Sequence, residues 1–127
     1  MGEEQRAPAF SFAARAQSIR YALAGFPVLL STQHNARIHA VATILVVIVG
    51  LMVRVSPLEW ALLVLAIGMV WSMEAMNTAI ELLADEISLE QRPRIGKAKD
   101  VAALGVLAAA ITAILLGLFV FLPHLWP

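Results

Sequence analysis

Polar side chains able to do chemistry interrupt a hydrophobic stretch, Trp71-Ser-Met-Glu-Ala-Met-Asn-Thr-Ala-Ile-Glu-Leu-Leu-Ala-Asp85. At about 100° per residue, Glu74, Asn77, Glu81 and Asp85 fall within an arc of roughly 80° on one helical face. Carboxylates can act as general bases or bind Mg²⁺, and an amide both donates and accepts hydrogen bonds. The preceding segment, Leu58 to Trp71, reads as a membrane span, and acids at the end of a span are costly enough to suggest a functional site. Glu74 sits deepest, near the interface, where a partly desolvated carboxylate suits a general base. Glu81, two turns on, lies at headgroup or aqueous depth, suited to a metal-bound phosphate. The plainer alternative is that these acids pair with Arg37 or Lys99 and simply hold helices together.

Two further clusters accompany that face. Gly96-Lys97-Ala98-Lys99-Asp100 reads as the start of a helix, where the dipole attracts anions and disfavours lysine unless an anion is held there. Lys99 beside Asp100 therefore suggests a phosphate contact, whereas Lys97 reads as a snorkelling lysine. Gln33-His34-Asn35-Ala36-Arg37-Ile38-His39 enters the first span at the same interface. Its histidines are poor Mg²⁺ ligands, because that ion prefers oxygen, and they read as structural groups. No Walker-type loop, kinase glycine loop, Rossmann fingerprint or His-Glu-x-x-His is found.

These residues need membrane helices to position them. The chain has 127 residues, 61% hydrophobic and 14% charged, well outside the soluble norm. His39 to Val53, Leu58 to Met73 and Val101 to Leu122 are apolar runs, and about 20 such residues span a bilayer core. The expected class is an all-α membrane protein forming a single domain over 1–127. Its expected parts are a disordered tail over 1–8, an amphipathic interfacial helix over 9–30 that Pro27 bends or ends, and membrane helices over 38–55, 58–86 and 98–122. Ser31 to Arg37 is expected as the connection into the first span. Ser56-Pro57-Leu58-Glu59 offers a capping box with Pro at the first helical position. The second helix then runs about 40 Å, longer than the bilayer core of roughly 30 Å, so Glu81 and Asp85 project beyond it. Ile87 to Gly96 reads as a loop, and the third helix is expected to begin near Lys97–Asp100 and to end at Pro123.

Charge distribution suggests orientation. Of nine Lys and Arg residues only Arg54 lies between the first two spans, while Arg6, Arg15, Arg20 and Arg37 precede them and Arg92, Arg94, Lys97 and Lys99 follow the second. The positive-inside rule then predicts an N-in, C-out chain with the acidic face at the cytoplasmic side. Net charge is zero, so nothing suggests nucleic-acid binding. The sequence shows no secretory signal, and the absence of cysteine rules out disulfides and thiolate metal sites.

Glu74-Ala-Met-Asn-Thr-Ala-Ile-Glu81, then Asp85, then Ala98-Lys99-Asp100-Val-Ala-Ala103, resembles the signature of the prokaryotic diacylglycerol kinase and undecaprenol kinase family. The resemblance runs from about Ala13 through almost the whole chain. It implies a multi-pass protein of the bacterial inner membrane and a homotrimer with active sites shared between subunits. It further implies ATP- and Mg²⁺-dependent transfer of the γ-phosphoryl group to a lipid hydroxyl at the cytoplasmic face. Carried over, Glu74 is the general base and Asn77 supports it. Glu81 binds Mg²⁺ and, through it, ATP; Asp85, Lys99 and Asp100 belong to the nucleotide site, with Tyr21, Glu90, Gln91 and Arg92 lying near the nucleotide. The family usually places a Glu as second metal ligand in a Glu-x-Asn-x-Arg-Ile-His pattern; the matching position here is Gln33, with Asn35, Arg37, Ile38 and His39 intact. A neutral amide implies weaker Mg²⁺ binding. Asn35-Ala-Arg-Ile-His39 and Asn77-Thr-Ala-Ile resemble the undecaprenol branch more than the diacylglycerol branch. Two other classes stay open: a small cation or proton transporter using Glu74, and a non-catalytic relative in which Gln33 marks lost activity.

Overall fold

The computed structural model describes residues 9–126 as helices and short connections, with no strand among them; the expected tail over 1–8 lies outside the described residues. The helices are α1 (Phe12–Thr32), α2 (His34–Val53), α3 (Pro57–Ile87) and α4 (Pro93–Leu125). The chain divides into two compact units, one ending at Thr32 and the other beginning at Gln33.

The first unit contains α1. Ser11 caps it, accepting the Ala14 N–H on its hydroxyl at 3.3 Å and the Arg15 N–H on its carbonyl at 3.1 Å. Phe12, Ile19, Leu23, Phe26 and Leu30 recur at helical spacing on one face, and Gln17 and Tyr21 lie on the opposite one. Pro27 does not end the helix, which continues to Thr32. A proline removes one backbone donor, and so orphans a single carbonyl one turn back. Beyond it the Thr32 and Ser31 hydroxyls both donate to the Val28 carbonyl, at 2.7 and 3.1 Å.

The second unit holds the three helices long and apolar enough to cross a membrane. Large apolar side chains such as Leu45, Leu65, Leu104 and Phe119 are exposed along them. A water-soluble monomer rarely exposes so much contiguous apolar surface, so this face requires lipid or protein around it. The polar stretch expected as a connection is almost entirely helical: only Gln33 is extended (φ −115°, ψ 118°), and α2 starts at His34.

At the other end of α2 the chain turns through Arg54, which adopts a left-handed conformation (φ 57°) and donates its N–H to the Gly50 carbonyl. The Val55 N–H bonds the same oxygen at 3.1 Å. The predicted capping box then starts α3: the Glu59 N–H donates to the Ser56 hydroxyl at 3.2 Å, and the Ser56 N–H donates to the Glu59 carboxylate at 2.6 Å. Val55, Leu63 and Val120 form a buried cluster here, with Trp60 and Phe121 against it. His124 Nε2 meets Glu59 Oε1 at 3.0 Å, tying the end of α4 to the start of α3.

α3 has 31 residues, about 46 Å at the helical rise. Its buried face runs Leu63, Ala66, Val70, Glu74, Asn77 and Ala84, a single stripe that changes from apolar to polar along its length. It packs most extensively on α4, whose buried residues are Ala102, Val106, Ala109 and Val120. Small side chains allow the backbones to approach closely: a Cβ on Gly105 would overlap the terminal methyl of Met73.

α4 begins at Pro93, earlier than expected, with Arg92 as its N-cap, so the connection after α3 spans only 88–92. Proline suits the first helical position, where its missing N–H has no intrahelical partner to lose, and the Gly96 N–H closes the first turn onto the Arg92 carbonyl at 3.0 Å. Pro123 does not stop the helix either; α4 runs to Leu125, because a proline in the last turn again costs a single bond.

An ideal Cβ at Gly50 would lie 2.8 Å from Cη2 of Trp60, a rigid ring that cannot yield by rotating its far end. Gly50→Ala should therefore destabilise the fold by about 1–3 kcal/mol, read as a lower unfolding midpoint in detergent micelles. An unchanged midpoint would show that Trp60 repacks without cost.

Candidate active site

On the buried stripe of α3, Glu74 is 0% exposed and neither carboxylate oxygen has a hydrogen-bond partner. Leaving a polar group dry and unpaired is costly, and a charge more so. Across from it on α2 stands His39, whose Nε2 is likewise buried and unbonded, 3.6 Å from Glu74 Oε2. The pair lies just beyond hydrogen-bond length. Thr78 Oγ1 and Asn77 Oδ1 are also buried without partners, so unmet polar capacity concentrates within one turn of α3.

One turn further, Glu81 is bracketed by two amides. Gln33 Nε2 donates to Oε2 at 3.1 Å, and Asn77 Nδ2 reaches Oε1 at 3.4 Å. The first bond joins residues 48 apart in the chain. It depends on Gln33 being the one extended residue before α2, which aims its side chain across at α3. Gln33 and Glu81 are thus brought together as expected, but as amide donor and carboxylate acceptor.

Asp85 pairs with Lys99, with Nζ 2.6 Å from Oδ1, and both side chains are substantially exposed. With α4 starting at Pro93, Lys99 is the seventh residue of the helix and not at its N-terminus, so the helix-dipole argument does not bear on it. Its partner in this structure is Asp85. Asp100 is exposed on α4. Glu90, Gln91 and Arg92 lie on the short connection, where the Glu90 N–H donates to the Ser88 hydroxyl at 3.1 Å. Together with Asp85, Ile95, Gly96 and Lys99 they line a hollow of about 450 Å³. Tyr21 belongs to α1, where its hydroxyl accepts a bond from Gln17 Nε2 at 2.8 Å.

A second cavity of about 520 Å³ is an apolar groove bounded by α2, α3 and α4, with Val46, Leu63, Ile67 and Phe121 among its walls. It runs alongside the buried stripe of α3, and His39 is in its lining. Glu74 lies one turn of α3 beyond Val70, the last α3 residue in the groove lining, and Glu81 and Asp85 follow it along the same helix. Such a layout suits a reaction between an amphiphile and a water-soluble anion.

No group of three or more His, Cys, Asp or Glu side chains suited to a metal occurs among the described residues. The donors around Glu81 are nonetheless oxygen-bearing: one carboxylate and the amides of Gln33 and Asn77, with Asn77 Oδ1 unbonded. This set fits a hard cation such as Mg²⁺ in chemistry, but supplies one negative charge. His39 was read from the sequence only as a structural group entering the first span, and Thr78 was not singled out; the signal that could have placed both beside Glu74 is their polarity at positions facing an otherwise apolar interior.

The chain is similar in sequence to known proteins. The pattern of the family described as prokaryotic diacylglycerol kinase matches residues 20–121. An undecaprenol kinase of Bacillus subtilis (strain 168) is 40% identical over 94 residues, covering 74% of this chain and 76% of the relative. A diacylglycerol kinase of a Synechocystis species is 36% identical over 109 residues, covering 85% of this chain and 62% of the relative. The diacylglycerol kinase of Escherichia coli (strain K12) is 33% identical over 79 residues, covering 62% and 65% respectively. With a match over most of its length and relatives that are lipid kinases, the chain belongs to the prokaryotic diacylglycerol kinase family.

Proposed function

We propose that this protein is a membrane lipid kinase that transfers the γ-phosphoryl group of ATP to the hydroxyl of a lipid alcohol, with undecaprenol preferred over diacylglycerol. The observation that carries it is Glu74: a fully buried carboxylate beside an apolar groove, one to two turns from Glu81 and its amides. The lipid tail lies in the groove and brings its hydroxyl to Glu74. Glu74 removes the hydroxyl proton as that oxygen attacks the γ-phosphorus; the bond to the bridging oxygen breaks and ADP leaves. Asn77 orients Glu81, which it already contacts. Glu81 and Gln33 would hold Mg²⁺, Gln33 by turning its amide oxygen inward. When bound, that ion neutralises phosphate charge. Lys99 releases Asp85 to meet the phosphates, and Asp100, Glu90, Gln91 and Arg92 line the nucleotide's side of the site. This division suits phosphoryl transfer, which depends mostly on positioning and charge neutralisation.

The preference for undecaprenol rests on the Asn35–His39 and Asn77–Ile80 motifs and on the likeness to the B. subtilis protein. The basic flanks of the spans support an N-in, C-out topology in the inner membrane with the site at the cytoplasmic face. The family resemblance supports a homotrimer with shared active sites.

Purified protein in micelles with labelled ATP, Mg²⁺ and either alcohol should yield phosphorylated lipid on thin-layer chromatography, more from undecaprenol. Glu74→Gln should lower kcat about 100-fold or more while ATP still binds; full turnover in that variant would overturn the base assignment. No product from either lipid, with Gln33→Glu restoring one, would favour a non-catalytic chain.

Gln33→Glu adds a second carboxylate beside Glu81, so less Mg²⁺ should be needed for half-maximal activity. Mg²⁺ should also raise the unfolding midpoint of this variant more than that of the native chain. Identical Mg²⁺ responses would remove Gln33 from the metal site.

The Lys99–Asp85 pair is exposed to solvent, which screens it, so breaking it should have little effect on stability. Lys99→Met should leave the unfolding midpoint almost unchanged yet raise KM for ATP. A large stability loss with unaltered KM would mark the pair as purely structural.

A further inference from the structure

His39 has a place that the proposed chemistry leaves unexplained. It joins two features at once, lining the apolar groove and presenting a buried, unbonded Nε2 to Glu74 Oε2 at 3.6 Å. Its own side chain is 16% exposed, so it too is mostly withdrawn from water. A carboxylate buried without any hydrogen bond is a poor resting state for a base, because burial disfavours the charged form unless a donor compensates. Helix α4 offers no such donor, since its buried residues are Ala102, Val106, Ala109 and Val120. On α3 itself the nearby ionisable group is Glu81, of like charge and engaged by Gln33 and Asn77. The imidazole of His39 is the group that can supply the missing hydrogen bond, and a shift of well under 1 Å brings it within reach.

We infer that His39 is the positioning residue of Glu74: its ring Nε2–H bonds the carboxylate, keeping it ionised and aimed at the hydroxyl entering along the groove. The inference rests on the functional reading above, in which Glu74 is the base. His39 touches the base and acts through it. Placing this donor on the groove wall also ties alignment of the base to the presence of a lipid, since a chain that fills the groove packs against the same ring.

The test compares His39→Leu, which keeps the apolar wall but removes the donor, with His39→Gln, whose amide can place an N–H near the same point. His39→Leu should lower kcat about 10- to 100-fold with KM for lipid and ATP within about twofold, and His39→Gln should recover most of that loss. Equal loss in both variants would overturn the inference. So would a raised KM for lipid at unchanged kcat, which would make His39 only part of the groove wall. A second measurement needs no turnover: the ring ¹⁵N resonances of His39 in micelles should move on Glu74→Gln, and unmoved resonances would equally overturn it. Failure of the functional reading is separately visible, because the native chain would then phosphorylate neither lipid, or Glu74→Gln would keep full turnover.

Discussion

One constraint organises the second unit: a single face of α3 stays buried against its neighbours even after its side chains change from apolar to ionisable. Leu63, Ala66 and Val70 are buried for the ordinary hydrophobic reason. Glu74 and Asn77 are buried because they continue the same stripe on a helix that cannot turn that face elsewhere. The favourable packing of the first half of α3 thus carries the cost of dry polar groups in its second half. A site whose groups are poorly satisfied at rest is the kind of place where substrate contacts are worth most.

Small residues on α4 make that burial possible. Gly105 meets the end of Met73, and Ala102 and Ala109 keep the two backbones close, so α4 screens Glu74 from its surroundings. The end of α2, the start of α3 and the end of α4 are fastened independently. Trp60 seats on Gly50, the capping box fixes the start of α3, and His124 bonds Glu59. These contacts set the register between the helices, and with it the point at which His39, Gln33 and Lys99 meet α3.

The second half of α3 is graded in polarity. Glu74 is dry, Glu81 is part-buried between amides, and Asp85 is exposed beside Lys99. Gln33 gives this chain a particular character. An acid in its place would face Glu81 across 3 Å or so and repel it unless a cation intervened; the amide instead bonds Glu81 directly. The amide is neutral, so this position adds no negative charge to that of Glu81.

Much of this was legible in the sequence because it is local. Helical spacing put Glu74, Asn77, Glu81 and Asp85 on one face, and Ser56-Pro57-Leu58-Glu59 announced the start of α3, since caps and periodicity are decided within a few residues. The third apolar run is long enough to span by itself, whereas the first two fall short of about 20 residues and qualify only if their ends reach into the interfaces. Helix ends were less legible. Pro27 read as a bend or end, Pro123 as an end and Pro93 as part of a loop, but a proline forfeits a single donor, and continuing or beginning a helix there was the better solution. Only the tertiary structure decided the pairings that define the site. Gln33 with Glu81, His39 with Glu74 and Lys99 with Asp85 join different helices. Which side chains meet across two helices depends on their crossing and relative register, and no single helix encodes either.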